Sequence, residues 1–155
     1  KYYSLPEEPD QLVDESLDSV DHRYGTDAKP APGARQLLEA AKERGVHVAV
    51  VTSSPGYVAR TFLEAHGLAG YVSTIVSADS VSQGKPHPEP FLAALEKSGV
   101  PAGQGVAVED SAAGAKSALD AGLATYLISL NGPHQQVEGA AGYISRLDEL
   151  VGLLG

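Results

Sequence analysis

From Pro30 onward, short β-branched or apolar runs alternate with stretches whose apolar residues recur every three or four positions. Pro32 stands near a helix start, Leu37, Leu38 and Ala41 mark its buried face, and Gly45 stops it. The run over residues 46–51, Val-His-Val-Ala-Val-Val, reads as a buried strand. Ser53, Ser54 and Pro55 look like a cap and first turn. Val58, Phe62 and Ala65 follow at helical spacing, and Gly67 closes that helix. The cycle repeats with a strand over 74–77, a proline-stiffened loop at Gly84, Pro86, Pro88 and Pro90, and a helix with Phe91, Leu92 and Leu95 ending at Gly99. A strand over 105–108 precedes a small-residue helix with Ala112, Ala115, Ala118 and Leu119, ending at Gly122. A strand over 124–128 follows, and Ile144, Leu147, Leu150, Val151 and Leu154 suit a closing helix. This alternation predicts an α/β domain: a parallel sheet with helices on both faces.

Residues 1–29 differ. They carry Glu7, Glu8, Asp10, Asp14, Glu15, Asp18 and Asp21 among few apolar positions, with Leu12, Val13, Leu17 and Val20 able to line one side of a short helix. A short acidic lead-in over 1–29 and a core over 30–155 are the expected units, with a flexible acidic tail as the plainer reading of the first. The chain opens on Lys1 and holds no methionine, so an N-terminus cut, processed or left out is expected.

Composition narrows the chemistry. With 155 residues the chain is long enough to bury a core. It has no cysteine, which excludes disulfides, thiolate catalysis and Cys-held zinc. A net charge of −9, with no basic stripe interleaved with aromatics, argues against nucleic acid. No apolar run approaches the roughly 18–20 residues of a membrane span, and no leader pattern is visible, so a cytoplasmic protein is expected. His22, His47, His66, His87 and His134 have no metal spacing and read as structural or solvent-exposed; Tyr2, Tyr3 and Tyr24 suit a cap surface or helix packing.

In an open parallel sheet, ligands bind beyond the carboxyl ends of the strands, so polar residues there are informative. Thr52 offers a hydroxyl, and with Ser53 and the N–H groups of the next helix it could hold an anion; a plain helix cap explains the same residues. Lys85 is a point charge in a Gly-Lys-Pro turn, suited to a phosphoryl oxygen and a carboxylate, or simply solvated. Glu109 and Asp110 follow an apolar strand directly; a hard cation such as Mg²⁺ would hold two such carboxylates together, and a structural or capping role is the alternative. Hydroxyl, lysine and acid pair occur in this order, each after a strand, and the joint placement favours function.

These residues carry a resemblance to the haloacid dehalogenase superfamily, subfamily I, over about residues 28–155. Residues 48–53, Val-Ala-Val-Val-Thr-Ser, resemble its second motif; 84–91, Gly-Lys-Pro-His-Pro-Glu-Pro-Phe, its third; and 106–114, Val-Ala-Val-Glu-Asp-Ser-Ala-Ala-Gly, its fourth. The Glu-Asp form is most similar to sugar-phosphate phosphatases and β-phosphoglucomutase-like members, and argues against the metal-free dehalogenases. The resemblance implies a Rossmann-like three-layer α/β/α core and a Mg²⁺ cofactor. It makes Thr52 and Lys85 catalytic, puts phosphate on Thr52, Ser53 and Lys85, and puts metal on Asp110 with Glu109 assisting. It implies a Mg²⁺-dependent phosphoric-monoester hydrolase working through an aspartyl-phosphate on a small phosphorylated metabolite.

The family's first motif, an apolar strand ending in Asp-x-Asp-Gly-Thr, has no counterpart here. Asp18 to Thr26 ends in Gly-Thr, but no β-run precedes it and its acid spacing is wrong; Asp10 and Asp14 fit no better. The core is therefore expected to lack the family's first central strand, with residues 1–29 as a cap remnant. Either the strands ending at Thr52 and Val108 pair directly, or another segment fills the slot between them. An upstream segment, or another chain, is the expected completing partner. The alternative function is a non-catalytic phosphate- or Mg²⁺-binding interaction module; a phosphomutase or dehalogenase is a weaker reading.

Overall fold

The computed structural model describes residues 2–3 and 28–154. Asp10, Asp14, Asp18, Asp21, His22, Tyr24 and the apolar positions expected on a lead-in helix lie outside the described residues. The described strands are β1 (Tyr2–Tyr3), β2 (Ala49–Val51), β3 (Thr74–Val76), β4 (Val106–Glu109), β5 (Ala124–Ile128) and β6 (Gly142–Ile144). The α-helices are α1 (Ala34–Glu43), α2 (Gly56–Ala65), α3 (Glu89–Ser98) and α4 (Ala112–Asp120), and a 3₁₀ helix runs over Leu147–Leu154. No described helix is long and apolar enough to cross a membrane.

The strands form one sheet in the order β3-β2-β1-β4-β5-β6, and every neighbouring pair is parallel. This is the doubly wound order, which reverses direction at β1 and opens a crevice between the carboxyl ends of β1 and β4. The expected α/β class is therefore present. The expectation that the core lacks its first central strand, to be completed by an upstream segment or another chain, is corrected: this chain's own Tyr2–Tyr3 fills that slot. Tyr2 and Tyr3 pair with Ala49 and Val50 of β2 on one side and with Ala107 and Val108 of β4 on the other. These tyrosines, expected on a cap surface or a helix, lie instead in the core sheet. The acidic first motif is still missing, because the chain continues from Tyr3 as Ser4-Leu5-Pro6.

Side chains alternate across the sheet, and the alternation sorts the core into layers. Ala49 and Val51 of β2 and Ala107 of β4 pack with Phe91, Ala94 and Leu95 of α3 and Ala118 of α4. Val50 faces the other way, onto Val58, Phe62 and Leu63 of α2. Val108 also faces that way, onto Leu37 of α1 and Leu147 and Leu150 of the 3₁₀ helix. Glu109 stands two residues after Ala107, so it shares the α3/α4 face.

Several boundaries differ from the expected ones. The strand expected over 46–51 begins at Ala49, because Val46 is spent ending α1: its N–H donates to Ala41 O at 2.9 Å. Leu92, expected on the buried face of α3, is 47% exposed. Ile144 belongs to β6 rather than to a closing helix, and the carboxylate of Glu149 accepts from the N–H groups of Ser145 and Arg146, turning the chain into the 3₁₀ helix. Gly99 and Gly122 end α3 and α4 with φ of 69° and 88°, conformations a side chain would disfavour.

Candidate functional site

The crevice over the sheet centre is built from three strand ends. At the end of β2, Val51 is fully buried and its carbonyl points at Lys85: the ammonium donates to Val51 O at 3.1 Å. At the end of β4, Glu109 turns its carboxylate under the same ammonium, Nζ to Oε1 at 2.7 Å. Both side chains are only 1% exposed. Lys85 thus ties together the two strand ends that carry Thr52 and Asp110, and its ammonium lies 5.4 Å from the centre of the Phe91 ring, a cation–π contact.

Glu109 fits because residue 114 is a glycine. A Cβ at Gly114 would stand 2.1 Å from Glu109 Oε2 and 2.3 Å from its carboxyl carbon. The first turn of α4 is open there, and the carboxylate lies against its backbone. Ser111 caps this helix, its hydroxyl accepting from Gly114 N–H at 3.0 Å, and Gln135 accepts from Ala112 N–H at 3.0 Å. Asp110 is half-buried between strand and cap.

The turn after β2 behaves first as a cap. Thr52 is buried, and its hydroxyl oxygen accepts from Ser54 N–H at 3.0 Å, which leaves the hydroxyl hydrogen to donate. Ser53 is exposed on the turn. The helix N-terminus expected to offer N–H groups to an anion already gives one of them to the protein: Gly56 N–H donates to Asp79 Oδ1 at 3.0 Å. Asp79 also accepts from the Ser77 hydroxyl at 2.5 Å. The Ser77 hydroxyl first, and then Gly56 N–H, hold the Asp79 carboxyl below its ordinary range. Asp79 was invisible as a cap in the sequence because it serves a helix 23 residues upstream.

The loop that carries Lys85 is pinned at several points. Both oxygens of Glu89 accept successive N–H groups, from Ser82 at 2.8 Å and from Gln83 at 2.9 Å. The fully buried Ser117 of α4 donates its hydroxyl to His87 O at 2.6 Å. The Lys85–Pro86 peptide is cis. The histidines hold structure: His47 bonds Thr74 Oγ1, His66 meets Ala28 O, His134 meets Ile144 O, and His87 Nδ1 accepts from Glu89 N–H.

A hard cation can be tested against this donor set. Among the described residues no group of three or more His, Cys, Asp or Glu could hold a metal. Mg²⁺ does not need one, since it keeps several waters and takes one or two carboxylates plus a substrate phosphate. Asp110 and Glu109 supply oxygen alone, which suits it. Glu109 is paired with Lys85, and Asp110 is the other carboxylate at this strand end.

A doubly wound parallel sheet thus carries a lysine, a hydroxyl and an acid pair at its switch point. The family follows from comparison. A haloacid dehalogenase-like hydrolase family model matches residues 2–128, and the chain belongs to that family. It is 34% identical over 122 residues to a phosphoglycolate phosphatase of Rhodospirillum rubrum, covering 79% of this chain and 50% of that protein. It is 33% identical over 129 residues to a phosphorylated carbohydrates phosphatase of Thermotoga maritima, covering 81% and 60%. A solved HAD phosphatase from Thermococcus onnurineus superposes with a TM-score of 0.80 at 31% identity, covering 92% of this chain and 66% of that one. The chain spans about half the length of the first of these curated relatives.

Proposed function

We propose that this chain is the core of a Mg²⁺-dependent phosphoric-monoester hydrolase that acts on small phosphorylated metabolites of the sugar-phosphate or phosphoglycolate type. The observation that carries the reading is the Lys85 ammonium, fixed between Val51 O and Glu109 over the centre of the sheet. A buried point charge so placed is suited to a phosphoryl oxygen. The relatives named for phosphoglycolate and phosphorylated carbohydrates support the substrate class.

In this reading Thr52 donates its hydroxyl hydrogen to a phosphoryl oxygen, with Ser53 on the same turn. Lys85 neutralises a second oxygen. Asp110, with Glu109 behind it, would hold Mg²⁺, which when bound would supply Lewis-acid charge to the transferring group. A carboxylate then attacks phosphorus, the ester oxygen leaves with a proton from a second acid, and water hydrolyses the aspartyl-phosphate. Neither of these two acids is among the described residues; an upstream segment, or another chain, would supply them.

A second reading has its own observation. The central strand is made by Tyr2–Tyr3 and continues in sequence as Ser4-Leu5-Pro6, with no Asp-x-Asp following it. A chain so built would bind phosphate and Mg²⁺ without turnover. The test is phosphate release from an aryl phosphate in Mg²⁺, by this chain and by the chain extended upstream with an apolar run ending in Asp-x-Asp. The hydrolase reading expects turnover only from the extended chain, abolished by Asp110→Asn. An extended chain that folds, binds phosphate and stays inert would favour the binding module.

A further inference from the structure

We infer that Glu89 is a positioning residue for Lys85, and that its carboxylate sets how tightly the crevice holds phosphate; this deepens the proposed function and rests on it for the phosphate. Glu89 is the first residue of α3. Its two oxygens do not point at the crevice. They take the backbone N–H groups of Ser82 and Gln83, at 2.8 and 2.9 Å, on the far side of the loop. Residues 82–89 are thereby closed into a ring, with Lys85 in its middle. The ring is stiffened internally by His87 N–H donating to Gly84 O at 3.0 Å. Its other anchor is Ser117, which holds His87 O.

The consequence follows from the length of a lysine. Four methylenes carry the ammonium from the loop to Val51 O and Glu109, and each of their torsions is free unless the backbone starts in the right place. Phe91 lies under the ammonium but does not fix the start of the stem. The carboxylate clamp does, because two charge-assisted bonds to successive N–H groups fix both the position and the direction of the chain entering the turn. The N-terminus of α3 also favours a negative charge at this place.

Glu89→Gln keeps the shape but replaces one acceptor oxygen with an N–H donor facing a backbone N–H. The test compares the wild type, Glu89→Gln, Glu89→Asp and, as control, Glu96→Gln from the exposed face of the same helix. Two readouts are taken on the folded full chain by NMR: the Lys85 ε-methylene resonances, and a titration with inorganic phosphate in Mg²⁺. Glu89→Gln is expected to move the Lys85 resonances and to weaken phosphate by about tenfold. Glu89→Asp is expected to recover part of both, and Glu96→Gln to change neither. Lys85 resonances unmoved in Glu89→Gln, while the Ser82 and Gln83 amides exchange faster, would overturn the inference. A wild type that binds no phosphate would count against the proposed function alone, since the Lys85 resonances still report on positioning.

Discussion

Lys85 and Glu109 meet at 2.7 Å with both side chains 1% exposed, a salt bridge closed off from solvent. Removing one partner of a buried pair leaves the other charge uncompensated, which costs about 3–5 kcal/mol, whereas replacing both can be neutral. Lys85→Met is therefore expected to lower the urea midpoint sharply. Lys85→Met combined with Glu109→Leu is expected to recover most of the loss. Equal destabilisation by the single and double variants would show that the pair is not the reason.

Gly114→Ala puts a methyl group where the Glu109 carboxylate lies, 2.1 Å from Oε2. Ala107, Val108 and Glu109 of the strand are all buried, so the strand has little room to retreat and the carboxylate must swing off Lys85. A loss of about 1–3 kcal/mol is expected from overpacking. Gly103→Ala, where nothing stands within 4 Å of an added Cβ, is the matched control and is expected to be near neutral. Equal unfolding midpoints for the two variants would remove the steric argument.

Asp79 gives stability a pH dependence with a definite sign. Its folded carboxyl is held below the ordinary value by Ser77 and Gly56, so its contribution is complete above about pH 4 and is lost as pH falls through the lower folded value. Asp79→Asn is expected to flatten the acid limb of the stability curve and to leave its slope above neutral pH unchanged. Chemical denaturation across the acid range reads this directly. An acid limb as steep in the variant as in the wild type would contradict it.

Asp110 is expected to govern a weak affinity for Mg²⁺, because one or two carboxylates without a third anionic oxygen make an incomplete hard-cation site. Calorimetric titration of the wild type should show weak binding that Asp110→Asn abolishes. Superimposable titrations would take Asp110 out of the metal role.

The parts legible in sequence are those where pattern and local chemistry agree. The run over 124–128 became β5 unchanged, and the glycine after α3 stopped that helix where expected. Thr52, Lys85 and Asp110 were visible as polar residues after apolar strands. What could not be read was set by partners far along the chain. Tyr2–Tyr3 carries no strand periodicity in two residues; it becomes β1 only because β2 and β4 flank it. Gly142–Ile144 is likewise too short to alternate and pairs because β5 offers an edge. Glu89 and Gly114 sit within motifs, but the first serves backbone six and seven residues upstream and the second serves the Glu109 side chain, relations no spacing rule encodes.

The claim that matters most is that the Lys85 ammonium, held at the switch point of the sheet, is the anchor for a phosphoryl group. Titration of the full chain with inorganic phosphate in saturating Mg²⁺, followed by calorimetry, tests it when repeated on Lys85→Met combined with Glu109→Leu, the pair expected to keep its fold. The account predicts measurable binding by the wild type and its loss, by about tenfold or more, in the double variant. Phosphate affinity unchanged in a folded double variant would contradict it.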